Sequence, residues 1–515
     1  MNDIDREQTR ASLPRLAMRA VGWRSASSVV QMLLVLAVNI VLARLLTPAQ
    51  FGIVAYALVF VGLSQLLSEA GLVYALVQKA DLTDRDLRVA ATLSLGMGLL
   101  LLILLWAVAP WIPARMPEAI DVLRVLALTF AAGSLGIVSE GLLRRKMDFG
   151  RLFIADVLSY SVGYALVAIV MAVGHYGVWS LAGGLLAQSM LRSVLLCILA
   201  PHSMIPLFSL AEARSLARYG IGLTLTRLAN YAASNASLFL IGWSLGSRAL
   251  GLYQRAYSTV IQPVFSLSSI VTAVSFSALA KIQHDKPTTR AVYGSALTLI
   301  SLAVTPIVTV AAVASREIVL LVYGPQWIEC SASLSILSLN AVFVSVCMLG
   351  DSLTNAHGLV YQRFRREAVY TACVCVLVLA GARYSITGVA AAVAISSMLR
   401  YWMVAQLGLG LVDMKWRTFL AAQLPGWLVA LMVAIGMGAA GALARHLGVG
   451  SAVLILSAKL AGACAGCAVS VFWLPARWMG DAPRILLQVL RRIRFLDRLL
   501  ESAAVKRLAN RYSCP

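Results

Sequence analysis

The stretch LLTPAQFGIVAYALVFVGLSQLLSEAGLVYALVQK, Leu45–Lys79, decides the fold class. A short polar turn, TPAQ, is followed by an almost wholly apolar run over 52–63 and then by Ser64, Gln65, Ser68 and Glu69. About 20 apolar residues cross the roughly 30 Å of a bilayer core as one helix. The turn is too short to hold a domain. The stretch therefore predicts two membrane spans joined by a tight hairpin, the second with a carboxylate near its inner end.

Composition extends this prediction to the whole chain. Apolar residues make up 60% of the 515 residues, charged residues only 13%, and mean hydropathy is +0.84. Such values lie far outside those of soluble domains, so we predict an all-α polytopic membrane protein. No room remains for a soluble catalytic domain, and no Walker motif is present, so ATP is not expected to be the direct energy source.

Fourteen helices are predicted from the apolar runs and their interruptions. They run approximately over 20–46, 51–78, 87–109, 120–143, 150–173, 177–200, 219–244, 249–282, 290–315, 332–356, 366–384, 387–411, 418–443 and 451–474. The expected organisation is a cytoplasmic segment 1–19, a six-helix lobe 20–200, a linker 201–218, a second six-helix lobe 219–411, two further helices in 412–475 and a basic amphipathic tail 476–515.

Lys and Arg are concentrated in alternate connections, which predicts that both termini are cytoplasmic. The net charge of +21 is explained by this topology, so nucleic acid is not an expected partner. In the tail, apolar residues at helical spacing alternate with arginines. This pattern is typical of a helix that lies on the anionic inner leaflet, or that docks a partner protein.

A weak internal repeat relates the first hairpin to a later one. ARLLTPAQFGIVAYA, Ala43–Ala57, aligns with IGWSLGSRALGLYQRA, Ile241–Ala256, and an offset of 199 residues superimposes Gly52 on Gly251. An offset of six helices preserves orientation. The two lobes are therefore predicted to be parallel repeats, as in transporters with a central cavity.

The first hairpin resembles that of the Wzx-type polysaccharide and lipopolysaccharide flippases of the MOP exporter superfamily, in the branch that includes the colanic acid exporter. Leu46, Pro48, Phe51 and Gly52 carry the likeness at the turn, together with the segment Ser68–Leu72; Arg248–Tyr257 resembles the second-half counterpart. The resemblance implies a flippase that moves oligosaccharide linked to undecaprenyl pyrophosphate across the bacterial cytoplasmic membrane through a cationic cavity. The lipid-linked oligosaccharide, membrane lipids and the polymerase or export machinery are the expected partners.

Ionisable residues inside spans are costly, so they are expected to face a cavity or a partner. The candidates are Arg24, Glu69, Glu140, Asp156, Arg192, Arg227, Arg255, Asp351 and Lys459. Arg24, Arg227, Asn230 and Arg255 are the predicted substrate-binding residues, because guanidinium groups suit phosphate oxygens. Two alternatives stay open here. Arg24 lies close enough to the interface to snorkel, and the polar stripe of Arg227 and Asn230 is also compatible with a hydrogen-bonded seam between helices.

Glu69 and Asp351 are the predicted ion-coupling carboxylates, since burial raises a carboxyl pKa toward the range where a proton can be carried. A structural ion pair, such as Glu69 with Arg24, is the alternative. Glu140 is expected to pair with Arg144 at i,i+4.

No metal site and no cofactor are predicted. Cys464 and Cys467, which have the CxxC spacing, lie in an apolar span without a completing ligand set. An enzyme is not expected either, because the external segments are short and the five histidines are scattered. The remaining alternative is a MATE-like antiporter of cations or drugs, which a cavity rich in arginine disfavours.

Overall fold

The computed structural model describes residues 31, 34–69, 72–79, 82–111, 116–203, 205–209, 228, 231 and 234–473. Every regular element in these ranges is helical. Ten of the described helices are long and apolar enough to cross a membrane, and a bent pair raises the number to eleven. The all-α polytopic class is thereby confirmed, whereas the count of fourteen spans stays a prediction. The segment 1–19 and the tail 476–515 lie outside the described residues.

Two compact units divide the chain, Met1–Gly251 and Leu252–Pro515. The helices up to this boundary are α1 (Leu34–Leu45), α2 (Pro48–Glu69), α3 (Leu72–Gln78), α4 (Asp84–Val108), α5 (Glu118–Ser134), α6 (Ile137–Arg145), α7 (Phe149–Val173), α8 (Val178–Leu199) and α9 (234–245). Helix α10 (Ser247–Lys281) begins in the first unit and continues into the second. The second unit also holds α11 (Lys286–Val313), α12 (Ser315–Val322), α13 (Cys330–Ala356), α14 (Val360–Ala382), α15 (Ile386–Val412), α16 (Trp416–His446) and α17 (Ala452–Trp473).

Within the predicted span 51–78 the described residues form α2 and α3. The structure differs from the predicted span 120–143, which consists of α5 and α6, meeting at a bend of 47°. At this bend Ser94 of α4 donates its hydroxyl to the backbone oxygen of Ser134 at 2.8 Å. A side chain that takes a helix carbonyl out of its ladder is a recognised cause of a kink. The bend is therefore maintained by a contact that local sequence does not reveal.

The serine-rich segment predicted over 332–356 forms the unbroken helix α13. Two of its buried serines satisfy their hydroxyls within the helix: Ser338 donates to the carbonyl of Leu334 at 2.7 Å and Ser345 to that of Ala341 at 2.8 Å. The hydroxyl of buried Ser333 has no hydrogen-bond partner among the described residues. Small side chains also let neighbouring helices approach closely, which is the usual basis of helix packing in lipid. Serine in this segment is thus compatible with burial.

Helix order repeats along the chain, as the sequence pattern predicts. Helices α4 and α11 begin 202 residues apart, α5 and α13 212, α7 and α14 211, and α8 and α15 208. Even the caps correspond, because Thr83 before α4 and Asp285 before α11 both accept a hydrogen bond from the backbone of the first turn. Hydrogen bonds from Thr288 hold the pKa of the Asp285 carboxyl below its usual value.

The two glycines aligned by the repeat lie against each other. Gly52 of α2 faces the backbone of Ser247 and Gly251 at the start of α10, and Gly251 faces the backbone of Pro48 and Gly52. A side-chain carbon at either position would meet main-chain atoms rather than a movable side chain. Glycine is therefore required at this helix crossing because no other residue permits the approach.

We expect Gly52→Ala to destabilise the protein by about 1–3 kcal/mol, the usual cost of forcing extra volume into a packed contact. The measurement is the thermal unfolding midpoint of the purified protein. Gly96→Ala on α4 is the matched control, because the added carbon there would meet no described residue beyond its own stretch of helix. Equal midpoints for the two variants would contradict the role assigned to the glycine crossing.

An ion pair holds α17 within the second unit. Lys459, which the sequence places inside the last predicted span, donates to the carboxylate of Glu317 at 2.8 Å and to the carbonyl of Val313 at 2.9 Å. Both charged side chains are nearly buried. Lys459 therefore has the partner expected of a charge inside a span, and its role here is to attach α17 to the start of α12.

Replacing Lys459 by methionine is expected to cost about 3–5 kcal/mol, because it leaves the Glu317 carboxylate buried without its cation. The same melting experiment measures this loss. The double variant Lys459→Met/Glu317→Gln removes the stranded charge and should recover most of the stability. If the double variant melts no higher than the single one, the ion pair is not what attaches α17.

Candidate functional site

A cavity of about 510 Å³ lies within the first unit. Helices α2, α3, α5, α6 and α8 contribute its lining, which combines apolar side chains with amides, hydroxyls and charges. The polar and charged lining residues are Gln65, Thr129, Ser134, Glu140, Arg144, Gln188, Ser189, Arg192 and Ser193. A volume of this size lies in the range of about 300–1,000 Å³ that is typical of small-molecule sites.

Three helices meet at the charged wall of this cavity through Arg192 of α8. Its Nη1 donates to Glu140 of α6 at 3.0 Å and its Nε donates to Asp156 of α7 at 2.8 Å. Arg144 donates to the other oxygen of Glu140, with the shorter bond at 2.6 Å, so the predicted Glu140–Arg144 pair is confirmed. Two guanidinium groups thus share two carboxylates, and the formal charges of the four groups cancel.

Arg145, the next residue along, performs a different function. Its guanidinium donates to the carbonyls of Leu76 and Lys79 at the end of α3. A cation at this position satisfies carbonyl groups that have no partner within the helix and complements the negative end of its dipole. Two members of the basic cluster 144–146 therefore have structural partners in the first unit.

The second unit also contains an arginine that bonds two carboxylates. Arg400 of α15 donates through Nη2 to Asp351 of α13 and through Nε to Glu367 of α14, both at 3.1 Å. Arg363 adds a contact of 3.3 Å to Asp351. As in the first unit, one arginine joins a carboxylate on each of the two preceding helices.

Glu140, Asp156 and Arg192 form one triad, and Asp351, Glu367 and Arg400 form a second. The two triads occupy equivalent positions of the repeat. Glu140 and Asp351 are 211 residues apart, Asp156 and Glu367 are also 211 apart, and Arg192 and Arg400 are 208 apart. These spacings match those of the helices that carry them. In both triads the terminal guanidinium nitrogen faces the first carboxylate and Nε faces the second.

Accessibility distinguishes the two triads. The side chains of Arg192 and Asp156 are each 33% exposed, whereas those of Arg400 and Glu367 are 18% and 23% exposed. The Tyr370 ring lies 5.3 Å from the Arg400 guanidinium, and the repeat equivalent of Tyr370, 211 residues earlier, is Ser159. The free volume beside the second triad is only about 10 Å³. The first triad is therefore open to a cavity and the second is closed.

Among the predicted substrate-binding residues, the structure describes only Arg255. This side chain is 8% exposed, and its guanidinium lies 5.3 Å from the ring centres of both Tyr323 and Trp327 in the second unit. Such an arrangement is a double cation–π contact. Arg24, Arg227 and Asn230 lie outside the described residues, so their predicted role stays a prediction.

Of the predicted ion-coupling carboxylates, Asp351 belongs to the closed triad, with Arg400 and Arg363 as its partners. Glu69 is the last residue of α2, and its side chain lies outside what the structure describes. In the polar run before it, Ser64 is buried and Gln65 reaches the cavity. The coupling role of both carboxylates stays a prediction.

Sequence reasoning identified Glu140, Asp156 and Arg192 as charges inside spans but did not assign them to a site. A signal was present nevertheless, because each has a residue of the same charge 208 or 211 positions later. Comparing the charges of the two repeats, in addition to their turns, would have found both triads.

Comparison with known proteins adds a family. Residues 41–332 match the family described as polysaccharide biosynthesis protein, a range that includes every residue lining the cavity. The lipopolysaccharide biosynthesis protein WzxC of Escherichia coli is 26% identical over 61% of this chain and 65% of its own length. The succinoglycan biosynthesis transport protein ExoT of Rhizobium meliloti is 25% identical over 64% of this chain and 67% of its own. The matches thus span about two thirds of these relatives.

Solved structures share the fold. The lipid II flippase MurJ, in an inward closed conformation, superimposes with a TM-score of 0.68 at 14% identity, over 86% of this chain and 98% of its own. An inward-facing multidrug resistance MATE transporter of the MOP superfamily gives 0.55 at 18% identity, over 76% of this chain and 98% of its own. Identities this low establish the polytopic transporter fold and nothing about the transported molecule.

Proposed function

This chain belongs to the polysaccharide biosynthesis protein family, and on that premise we propose that it moves an oligosaccharide repeat unit, linked to undecaprenyl pyrophosphate, from the inner to the outer leaflet of the bacterial cytoplasmic membrane. The product would supply the synthesis of a surface polysaccharide. A transporter requires no catalytic residue, and we propose none.

The match over residues 41–332 carries this proposal, because it places the entire cavity of the first unit inside the region shared with the family. The cavity supports transport of a polar molecule, since its wall holds two guanidinium groups, one carboxylate and two side-chain amides. Groups of this kind are expensive in a membrane protein unless they serve a partner or a polar pathway.

The proposed mechanism is alternating access through a cationic central cavity, driven by an ion gradient. Arg24, Arg227, Asn230 and Arg255 are the proposed contacts for the pyrophosphate, because paired guanidinium groups offset the cost of removing its charge from water. Glu69 and Asp351 are the proposed coupling groups. Both termini are proposed to be cytoplasmic, and the polymerase or export machinery is the proposed partner on the outer side.

Deletion of the gene tests the proposal directly. Cells are expected to lose a surface polysaccharide and to accumulate its lipid-linked repeat unit in the inner leaflet, measured by lipid extraction and by labelling of intact cells. Expression of the wild-type protein in the same strain is the control and should restore both readouts. Loss of drug resistance with normal polysaccharide would overturn the proposal in favour of a MATE-like exporter.

A further inference from the structure

We propose that the cavity of the first unit binds an uncharged sugar ring of the transported oligosaccharide. This inference rests on the proposed function and adds to it a second binding site, separate from the arginines proposed to hold the pyrophosphate. Three observations support it: the charge balance of the cavity, two side-chain amides that have no hydrogen-bond partner among the described residues, and the difference between the two triads.

Charge balance disfavours an anion in this cavity. Arg144 and Arg192 are both already bonded to Glu140, at 2.6 and 3.0 Å, and Arg192 is also bonded to Asp156 at 2.8 Å. A phosphate would have to displace a carboxylate from these bonds and leave it without its cation. A hydroxyl group needs no such exchange, because it can donate to a remaining carboxylate lone pair or accept from a remaining guanidinium N–H.

Two amides complete the hydrogen-bonding surface. Gln65 of α2 and Gln188 of α8 both line the cavity, and neither side chain has a hydrogen-bond partner in the part of the chain that the structure describes. The hydroxyls of Thr129 and Ser189, in contrast, already donate to backbone carbonyls. The amides are therefore the neutral donors and acceptors that are available to a ligand.

The apolar part of the lining suits the other surface of a sugar ring. Phe130 of α5 and the aliphatic side chains Leu58, Val61, Leu126 and Leu185 lie in the same cavity. Pyranose rings present C–H groups as well as hydroxyls, so a mixed lining of amides, a carboxylate and an aromatic ring is complementary to them.

Comparison of the repeats shows that the equivalent position in the described part of the second unit is closed. In the second unit, the Tyr370 ring lies over Arg400, and the adjacent space of about 10 Å³ is too small for a ligand. The equivalent of Tyr370 is Ser159, which lies on the π-helical stretch Ser159–Leu166 of α7. π-Helical insertions reorient the residues around them and are frequent at functional sites. The open triad is thus the ligand-binding copy and the closed triad is the structural copy.

Saturation-transfer difference NMR tests this proposal, because it detects weak binding. The probes are methyl β-glucoside and methyl β-galactoside, added to the protein in lipid nanodiscs so that no sugar-headed detergent competes. We expect a signal from at least one glycoside with the wild-type protein and about fivefold weaker binding for each of Gln65→Leu and Gln188→Leu, the usual net effect of one neutral hydrogen bond. Met190→Leu, on the exposed face of α8, is the matched control and should bind as the wild type does.

Three results would overturn the proposal: no signal with the wild-type protein, equal binding by all variants, or displacement of the glycoside by inorganic pyrophosphate, which would identify an anion site. Each of these leaves the deletion phenotype unaffected. Failure of the inference is therefore distinguishable from failure of the proposed function, which the accumulation of lipid-linked repeat units tests independently.

Discussion

Replacing Arg192 by methionine is expected to abolish polysaccharide export and to lower the stability of the first unit. The guanidinium is the only group of the described triad that bonds both Glu140 and Asp156. Its loss removes the cation shared by carboxylates on α6 and α7, and with it the ion pairs that connect α8 to both helices. We expect about 2–3 kcal/mol of destabilisation, below the 3–5 kcal/mol of a fully buried pair because the side chain is 33% exposed.

Export is measured as surface polysaccharide in a deletion strain that carries the variant, and stability as the melting midpoint of the purified protein. Arg151→Met is the matched control, because Arg151 is 56% exposed and lies outside the cavity. It pairs with Asp148 and donates to the carbonyl of Leu199 at 3.3 Å, so it also contacts α8 without joining two carboxylates. Arg192→Lys should export less than wild type, since one ammonium group does not reproduce the two directed bonds of a guanidinium. Normal export by Arg192→Met would contradict a role for the open triad.

Replacing Arg400 by methionine is expected to prevent accumulation of folded protein. Its two partners, Asp351 and Glu367, are largely buried. The loss of their shared cation leaves Glu367 without an ion pair among the described residues and leaves Asp351 with Arg363 alone. Breaking a buried pair of this kind costs about 3–5 kcal/mol, a large part of the total stability of most domains. The measurements are yield of monodisperse protein and its melting midpoint, with Arg383→Met, an exposed arginine of the same unit, as control.

Replacing the carboxylates of Asp351 and Glu367 by amides should restore folding of the Arg400→Met variant. The triple variant Arg400→Met/Asp351→Asn/Glu367→Gln removes all three charges and is expected to recover most of the lost yield. Failure of the triple variant to fold any better than Arg400→Met would show that the packing of Arg400 against Tyr370, rather than its charge, is what the second unit requires.

Asp351→Asn alone separates structural pairing from ion coupling. A purely structural role predicts poor folding, whereas a coupling role predicts a folded protein whose transport no longer responds to an imposed ion gradient. Flux measured in vesicles with and without that gradient distinguishes the two. Glu140→Gln is the matched change in the first unit. Measuring its folding and its flux with and without the gradient distinguishes structural pairing from ion coupling for the open triad.

Local sequence was sufficient for most of the helices. Apolar runs about 20 residues long have one stable solution in a bilayer, because every backbone group must be bonded within its own segment. The short turn before α2 and the Glu140–Arg144 pair were also predictable, since both depend on residues within a few positions of each other. The bend between α5 and α6 was not, because a hydroxyl from α4 maintains it.

The sequence predicted that charged residues inside the spans form a polar site, but it did not predict which residues come together. Charges inside spans indicate a polar pathway, and Arg192, Asp156 and Asp351 were recognised as such charges. Hydropathy says nothing about which neighbour each charge meets, because Arg192 bonds residues 36 and 52 positions away. Only the packing of three helices determines that Arg192 joins two carboxylates.

Sequence by itself determined the class of this protein, the succession of its helices and its family, since each follows from composition, periodicity or short motifs along the chain. The tertiary structure decided which charges meet, why Gly52 and Gly251 are both glycine, and which of two equivalent triads is open. In the closed triad a tyrosine, Tyr370, lies beside the arginine, and the position equivalent to this tyrosine in the open triad is a serine, Ser159. The difference therefore depends on contacts between helices that are remote in sequence.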